Sequence, residues 1–199
     1  MDSEDGQRGA WDRLYLSRGR PWRGTSDVSW TGVLPGMSVL DAGCGNGKTA
    51  KALIDAGARV TAVDFSAAAV DSCAERMGGR ASFVVADVRG LPFADGTFDA
   101  VLAFHVLEHI PAEDVPGAAS ELVRVLRTGG RACVRSFAEG DLRSRRKEDV
   151  RDGILYRYLS EDEVRALFPT AREVFVRTAS ERTRFGGERV RVEAAFQKI

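Results

Sequence analysis

Apolar and polar positions in this chain follow two alternating periods. Short apolar runs end in an acid, and each is followed by apolar residues spaced three and four apart. Val39-Leu40 ends at Asp41, and residues 48–56 then put Ala50, Leu53 and Ile54 on one helical face. RVTAVD closes on Asp64 and leads into AAAVDSCAERM, a helix for which Ser66 is the natural N-cap. ASFVVAD closes on Asp87, and residues 99–104 form a fourth run that reaches His105. Residues 112–130 read as one helix with Leu122, Val125 and Leu126 as its stripe and Thr128-Gly129-Gly130 as its stop. RACVRSF is the fifth strand. Ser160-x-x-Glu163 is a capping box opening EDEVRALF, and EVFVRTAS and ERVRVEAAFQKI are two strands joined around Gly186-Gly187. This alternation predicts an α/β fold: a three-layer, doubly wound, mostly parallel seven-stranded sheet with a C-terminal antiparallel pair, one strand of which lies beside the fifth.

The first strand–helix junction, SVLDAGCGNGKT (38–49), carries Gly43, Gly45 and Gly47. Glycines there let the backbone approach a ligand, and the following helix offers free N–H groups. The dinucleotide fingerprint G-x-G-x-x-G fails, because Lys48 stands where its last glycine belongs. A phosphate-binding loop fits loosely, with Ala42 in place of its first glycine. An acid at the mouth of such a loop repels phosphate, so Asp41 argues for a cationic ligand instead. Asp64, 23 positions after Asp41 at the end of a second parallel strand, is placed to accept hydrogen bonds from ribose hydroxyls. His105-x-x-Glu108-His109 spells an inverted zincin signature, but it follows a strand directly and no third ligand is evident, so no metal is expected.

Val39-Leu40-Asp41-Ala42-Gly43-Cys44-Gly45-Asn46-Gly47 closely resembles the first motif of the class I S-adenosylmethionine-dependent methyltransferases, of the small-molecule type. Asp87-Val88, Leu91-Pro92-Phe93, Asp95-Gly96-Thr97-Phe98-Asp99 and the strand end at His105-Val106 resemble later segments of that superfamily. The resemblance covers residues 33–137 in motif detail. It implies S-adenosylmethionine as cofactor and methyl transfer as the reaction. It implies cofactor contacts from Asp41, Gly43, Cys44, Gly45, Asn46, Asp64, Phe65, Asp87, Val88, Phe104 and His105, with Asp87-Val88 at the adenine. His105 is also the one candidate general base, while His109 is expected to be structural. A phosphotransferase, a zinc hydrolase, and a macromolecule methyltransferase working with an activator subunit are the alternatives.

Two segments are candidate covers for the site. Residues 11–32 carry Trp11, Tyr15, Trp22 and Trp30, with a helix ended by Pro21, and resemble the N-terminal lid of several small-molecule methyltransferases. Residues 138–158 are a charged loop or helix containing Arg143, Arg145, Arg146 and Lys147. Tyr15, Trp22, His105 and Arg143 are the substrate-pocket candidates.

Composition narrows the rest. The chain has 199 residues, 44% of them hydrophobic, which suits a single domain over 11–199, with residues 1–10 read as disordered. Lys+Arg and Asp+Glu are both 29, so nothing in the net charge favours nucleic acid or a membrane. No apolar run is long enough to span a bilayer, and the polar, acidic N-terminus is no signal peptide. Cys44, Cys73 and Cys133 form no C-x-x-C pair. A cytoplasmic protein acting on a small molecule is the expectation.

Overall fold

Central strands must be apolar on both faces when helices cover both, and that requirement organises this molecule. The computed structural model describes residues 3–18, 21–22, 24–144, 146–183 and 186–199, and side chains from residue 6 onward within them. Five parallel strands come first: β1 (Ser38–Ala42), β2 (Arg59–Asp64), β3 (Ser82–Val85), β4 (Phe98–Phe104) and β5 (Leu126–Phe137). Strands β6 (Glu148–Arg151) and β7 (Ile154–Arg157) form a separate hairpin. Strands β8 (Ala171–Arg182) and β9 (Glu188–Lys198) are the long C-terminal pair. The main sheet has seven strands in the order β3-β2-β1-β4-β5-β9-β8, with β9 antiparallel to both neighbours.

The helices are α1 (Ser3–Arg18), α2 (Lys48–Asp55), α3 (Ala67–Met77), α4 (Val115–Arg124) and α5 (Glu161–Ala166). Alternate residues of each central strand separate into two cores. Leu40, Val101, Val134 and Ala194 pack with Ala118 and Leu122 of α4 and with Val164 of α5. Val39, Leu102, Cys133 and Ala195 pack with Ala50 and Leu53 of α2 and with Cys73 of α3. This is the expected three-layer, doubly wound arrangement. Ser66 caps α3 by accepting from the Ala69 amide, and Ser160 with Glu163 forms the expected capping box on α5.

Three local expectations are corrected. Residues 3–10 are not disordered: α1 begins at Ser3 and is continuous to Arg18. Ala10 is buried and Gln7 makes two hydrogen bonds across the molecule, so tertiary contacts hold a stretch that composition alone leaves unsupported. The helix over 112–130 is shorter than expected. It ends at Arg124, and Leu126, buried beside Phe98, already belongs to β5. The 138–158 excursion is neither helix nor simple loop. Asp152 (φ 54°) and Gly153 (φ 82°) both take left-handed backbone, the geometry of a two-residue turn that matches strand twist, and β6 and β7 pair across it.

Candidate active site

In an open α/β sheet, ligand sites form beyond the carboxyl ends of the parallel strands, where backbone amides and loop side chains converge. A cavity of about 370 Å³ lies there. Its floor is built from the ends of β1 to β4, and its roof from α1 and the β6–β7 hairpin.

After β1 the backbone turns at Gly43 (φ 75°), with the Gly43 and Cys44 amides both donating to the Val63 carbonyl at 2.8 Å. A Cβ at position 43 would stand 2.3 Å from a methyl of Val106, so only glycine keeps this wall open. The Gly45 amide donates to Asp64 at 2.8 Å, joining the glycine loop to the end of β2. Asp64 also accepts from the Ser66 amide at 2.9 Å. Burial pushes its carboxyl up to about 6, against those stabilising bonds. Phe65 beside it lines the cavity, with the Arg8 guanidinium 5.9 Å from its ring centre.

Beyond β3, Asp87 and Val88 form the next part of the lining. Burial works to raise the Asp87 carboxyl, but a two-pronged ion pair with Arg89 (2.7 and 3.0 Å) holds it below its ordinary range. Arg89 reaches on to Asp114 at 2.9 Å.

The end of β4 carries the most unusual backbone. His105 has φ 60°, a left-handed conformation uncommon for a residue with a side chain. Its amide donates to the Arg135 carbonyl at 2.7 Å, and its ring stacks on Phe137 at 4.5 Å. Imidazole Nδ1 lies 2.8 Å from Oε1 of Glu108, which is fully buried and also accepts from the Phe137 amide. Burial would raise the Glu108 carboxyl, yet the His105 hydrogen bond and the two nearby imidazoles keep it below the ordinary range. An ionised Glu108 accepts a hydrogen bond from Nδ1–H, and in the neutral ring that tautomer leaves Nε2 as an acceptor beside the cavity. His109, also in the lining, is buried with its Nδ1 2.5 Å from the Leu155 carbonyl, and burial holds its pKa down. The H-x-x-E-H segment is therefore a single tight turn, residues 107–109, rather than one face of a helix. Among the described residues no group of three or more His, Cys, Asp and Glu is placed to hold a metal ion.

Side chains of α1 tie the roof down, and Asp12 among them accepts from the Ser66 hydroxyl. Gln7 of α1 donates to the His109 carbonyl at 2.6 Å and accepts from the Leu155 amide at 3.1 Å, linking helix, strand end and hairpin. Trp11 packs edge-on against His109 at 5.0 Å and stacks with Tyr15 at 5.8 Å.

Of the residues expected at the site, Tyr15, Gly43, Asp64, Phe65, Asp87, Val88 and His105 line this cavity together. Others do not. Asp41 is fully buried behind the loop, where burial pushes its carboxyl up to about 8, so it presents no anion to the cavity. Gly45 and Cys44 sit beneath the lining, and Asn46 is turned to the carbonyl of Trp22 at 2.5 Å. Phe104 points to the opposite face of the sheet, stacked on Trp30 at 5.2 Å under Arg135, because side chains alternate along β4. Arg143 lies over Phe137 at 4.2 Å and pairs with buried Asp141, so it is engaged elsewhere. Arg145 falls outside the described residues. Trp22 lines a neighbouring groove. Gln7 and Arg8 line the cavity without having been expected there, and Trp11, Val150 and Leu155 line it from the two segments named as candidate covers. The Asp152-Gly153 pair was the available signal for the hairpin that brings two of them in.

A family model described as a methyltransferase domain matches residues 40–134. That span contains the glycine loop and the ends of β1 to β4 that floor the cavity. Over that span the chain is similar to a methyltransferase domain. It is 39% identical over 129 residues to the demethylmenaquinone methyltransferase of Thermobifida fusca, covering 63% of this chain and 53% of that one. The chain thus spans about half the length of that relative. A methyltransferase structure from Methanosarcina mazei superposes with a TM-score of 0.77 at 20% identity, over 89% of this chain and 99% of that one. The Burkholderia thailandensis 1,6-didemethyltoxoflavin-N1-methyltransferase gives a TM-score of 0.66 at 24% identity, over 98% and 79%. Both structures are alike in fold. The match in sequence to the methyltransferase domain stops within β5, so α1 and the hairpin that roof the cavity lie outside it.

Proposed function

We propose that this methyltransferase domain binds S-adenosylmethionine in the cavity and transfers its methyl group to a small-molecule acceptor. The observation that carries this is the convergence of Gly43, Asp64, Asp87-Val88 and His105, from four strand ends, on one enclosed space. The donor set suits the cofactor. Gly43 leaves room for close backbone approach, and Asp64 and Asp87 offer carboxylate acceptors for ribose hydroxyls and an adenine amine. Lys48, the residue a phosphate loop would aim at its ligand, is not in the lining; burial and the neighbouring Arg191, Arg189 and Arg135 lower its pKa. That arrangement disfavours a phosphotransferase.

The cofactor supplies an activated methyl on a sulfonium, so the chain's own tasks are alignment, exclusion of water and, for a protonated acceptor, removal of a proton. Trp11, Tyr15 and Leu155 wall the space from solvent. His105 Nε2 accepts the acceptor's proton, and Glu108 fixes the ring's tautomer and orientation. The three buried free thiols, Cys44, Cys73 and Cys133, suit a reducing compartment and support a cytoplasmic setting. The Burkholderia neighbour, described with 1,6-didemethyltoxoflavin and S-adenosylhomocysteine bound, supports the small-acceptor reading.

The direct test is thermal denaturation with S-adenosylhomocysteine or with ATP·Mg. S-adenosylhomocysteine is expected to raise the melting temperature and ATP·Mg to leave it unchanged. The reverse pattern would sink the methyltransferase reading.

A further inference from the structure

Charge is unevenly distributed around the cofactor cavity. The formally charged side chains of its lining, Arg8, Asp64, Asp87 and Arg89, gather at the half beyond β2 and β3. Arg8 lies over Phe65 and its charge acts on Asp87, while Arg89 is paired with Asp87 and Asp114. The other half lies beyond β4 and under the hairpin, walled by Trp11, Val106, Ile110, Pro111, Val150 and Leu155 around the two imidazoles. Contacts tie that wall together. Trp11 meets His109 at 5.0 Å, and His105 and His109 both pack on the Phe137 ring.

Among the described residues lining this second half there is no lysine, arginine or carboxylate. Gln7 spends its amide on the His109 carbonyl and the Leu155 amide, and His109 is buried with Nδ1 against the Leu155 carbonyl. Arg143 stays outside the lining, paired with buried Asp141. His105, with 33% of its side chain exposed, is left to offer Nε2 to a ligand. The mouth is apolar too: Val150 belongs to the lining yet is 63% exposed, so this half opens to solvent past a hydrophobic lip.

These features select an acceptor. An anion entering here would lose its hydration and gain no counter-charge. It would also need no base, whereas a neutral hydroxyl does. Among neutral hydroxyls, an aliphatic one holds its proton too tightly for an imidazole, and an aromatic or enolic one is far more acidic. Flat rings suit a slot walled by Trp11 and aliphatic side chains.

We propose that the β4 half of the cavity takes an uncharged, planar, apolar molecule that enters past Val150, and that an aromatic or enolic hydroxyl of this molecule is the methyl acceptor. The assignment rests on the methyl-transfer reading and adds the chemical class of the acceptor. The hydroxyl proton passes to Nε2 of His105, the oxygen bonds to the methyl carbon, and the carbon–sulfur bond breaks with its electron pair returning to sulfur. The positive charge lost at sulfur reappears on the imidazole, 2.8 Å from the Glu108 carboxylate.

The test is titration of the full chain, loaded with S-adenosylhomocysteine, by three probes: 2-naphthol, its methyl ether 2-methoxynaphthalene, and the anion 6-hydroxy-2-naphthoate. The neutral naphthol is expected to bind about tenfold or more tighter than the anion, and several-fold tighter than the ether, which lacks the proton for Nε2. His105→Asn, a residue that tolerates left-handed backbone, is expected to erase the difference between naphthol and ether. Val150→Lys, on an exposed strand position, is expected to shift the preference about tenfold toward the anion while S-adenosylhomocysteine affinity stays within twofold. With S-adenosylmethionine, bound 2-naphthol is expected to yield 2-methoxynaphthalene, read by mass spectrometry. Equal or tighter binding of the anion, no binding of the naphthol, or a naphthol–ether difference that survives in His105→Asn would overturn the assignment. Naphthol bound beside S-adenosylmethionine without ether formation would overturn the hydroxyl as acceptor. Naphthol binding by a chain with no affinity for S-adenosylhomocysteine would keep the apolar pocket and remove the methyltransferase reading.

Discussion

Two buried carboxylates, Asp41 and Asp64, have opposite relations to the site although each ends a neighbouring strand. Asp64 opens onto the cavity, and its carboxyl is pushed up to about 6 by burial. In the proposed complex a ribose hydroxyl donates to the ionised form, so affinity for S-adenosylhomocysteine should hold above pH 6 and fall as pH drops through that value. Asp64→Asn should weaken binding by about 1.5–3 kcal/mol, the scale of hydrogen bonds to charged groups, and abolish this pH dependence; calorimetry from pH 5 to 8 checks both. Asp41 is buried outside the cavity lining, and one of its oxygens has no partner in the buried interior. Its folded pKa of about 8 lies above its ordinary 3.8. The protonated folded form is therefore favoured, and the associated stability is complete below about pH 4 and lost as pH rises through 8. Asp41→Asn lacks this titration, so its stability relative to the parent should rise between pH 5 and 8 by up to about 1.4 kcal/mol per pH unit. Denaturant midpoints that shift in parallel over that range would refute the assignment.

At the scale of elements, the site depends on a hairpin held by one turn. Gly153 (φ 82°) is strained for any side chain, and a Cβ there would come within 3.2 Å of the Ala10 methyl on α1. Gly153→Ala should loosen the hairpin and its contact with α1 without disturbing the main sheet. Amide exchange should accelerate at Leu155, whose N–H donates to Gln7, while the amides of β1 and β4 stay protected. Uniform acceleration would mean that the hairpin is integral to the global core. Glu108 shows a related dependence within the β4 end: its side chain joins His105 to the backbone of β5, so ring orientation is set by two strands at once.

For the whole molecule, the division is between a sheet with its two layers of helices and a roof laid over one end. The roof meets the rest through the apolar cluster of Trp11, Tyr15, Ile154 and Ala69, with Trp22 and Tyr156 packed on it, and through the hydrogen bonds of Gln7 and Asp12. A ligand beneath it should stabilise the closed arrangement in proportion to its occupancy. Trypsin is expected to cut at Arg13 and Arg18 of α1 and at Arg151 of the hairpin more slowly when S-adenosylhomocysteine is present. Equal cleavage with and without it would show that these segments do not close over the cofactor. Among the described residues, no helix is long and apolar enough to cross a membrane.

The sequence by itself determined the layers. Strands buried on both faces must read as apolar runs, and helices covering them must show one apolar face, so strand β1, helix α2 and their successors were legible from local pattern. The same held for the acid at each strand end, for the caps at Ser66 and Ser160, and for the motif that matched a family. Tertiary structure decided which of those residues face the ligand. Phe104 and His105 are adjacent, yet Phe104, the last residue of β4, packs under Arg135 by the strand's alternation, while His105, in the left-handed turn beyond it, lines the cavity. Asp41 and Asp64 both close apolar runs, but Asp41 is in register with Ala62, two residues deeper in the sheet than Asp64, and only Asp64 reaches the cavity. The roof was least legible: Gln7 and Leu155 are 148 positions apart, and neither has a local pattern that names its partner. Such contacts are set by how finished elements pack, which no short window of sequence encodes.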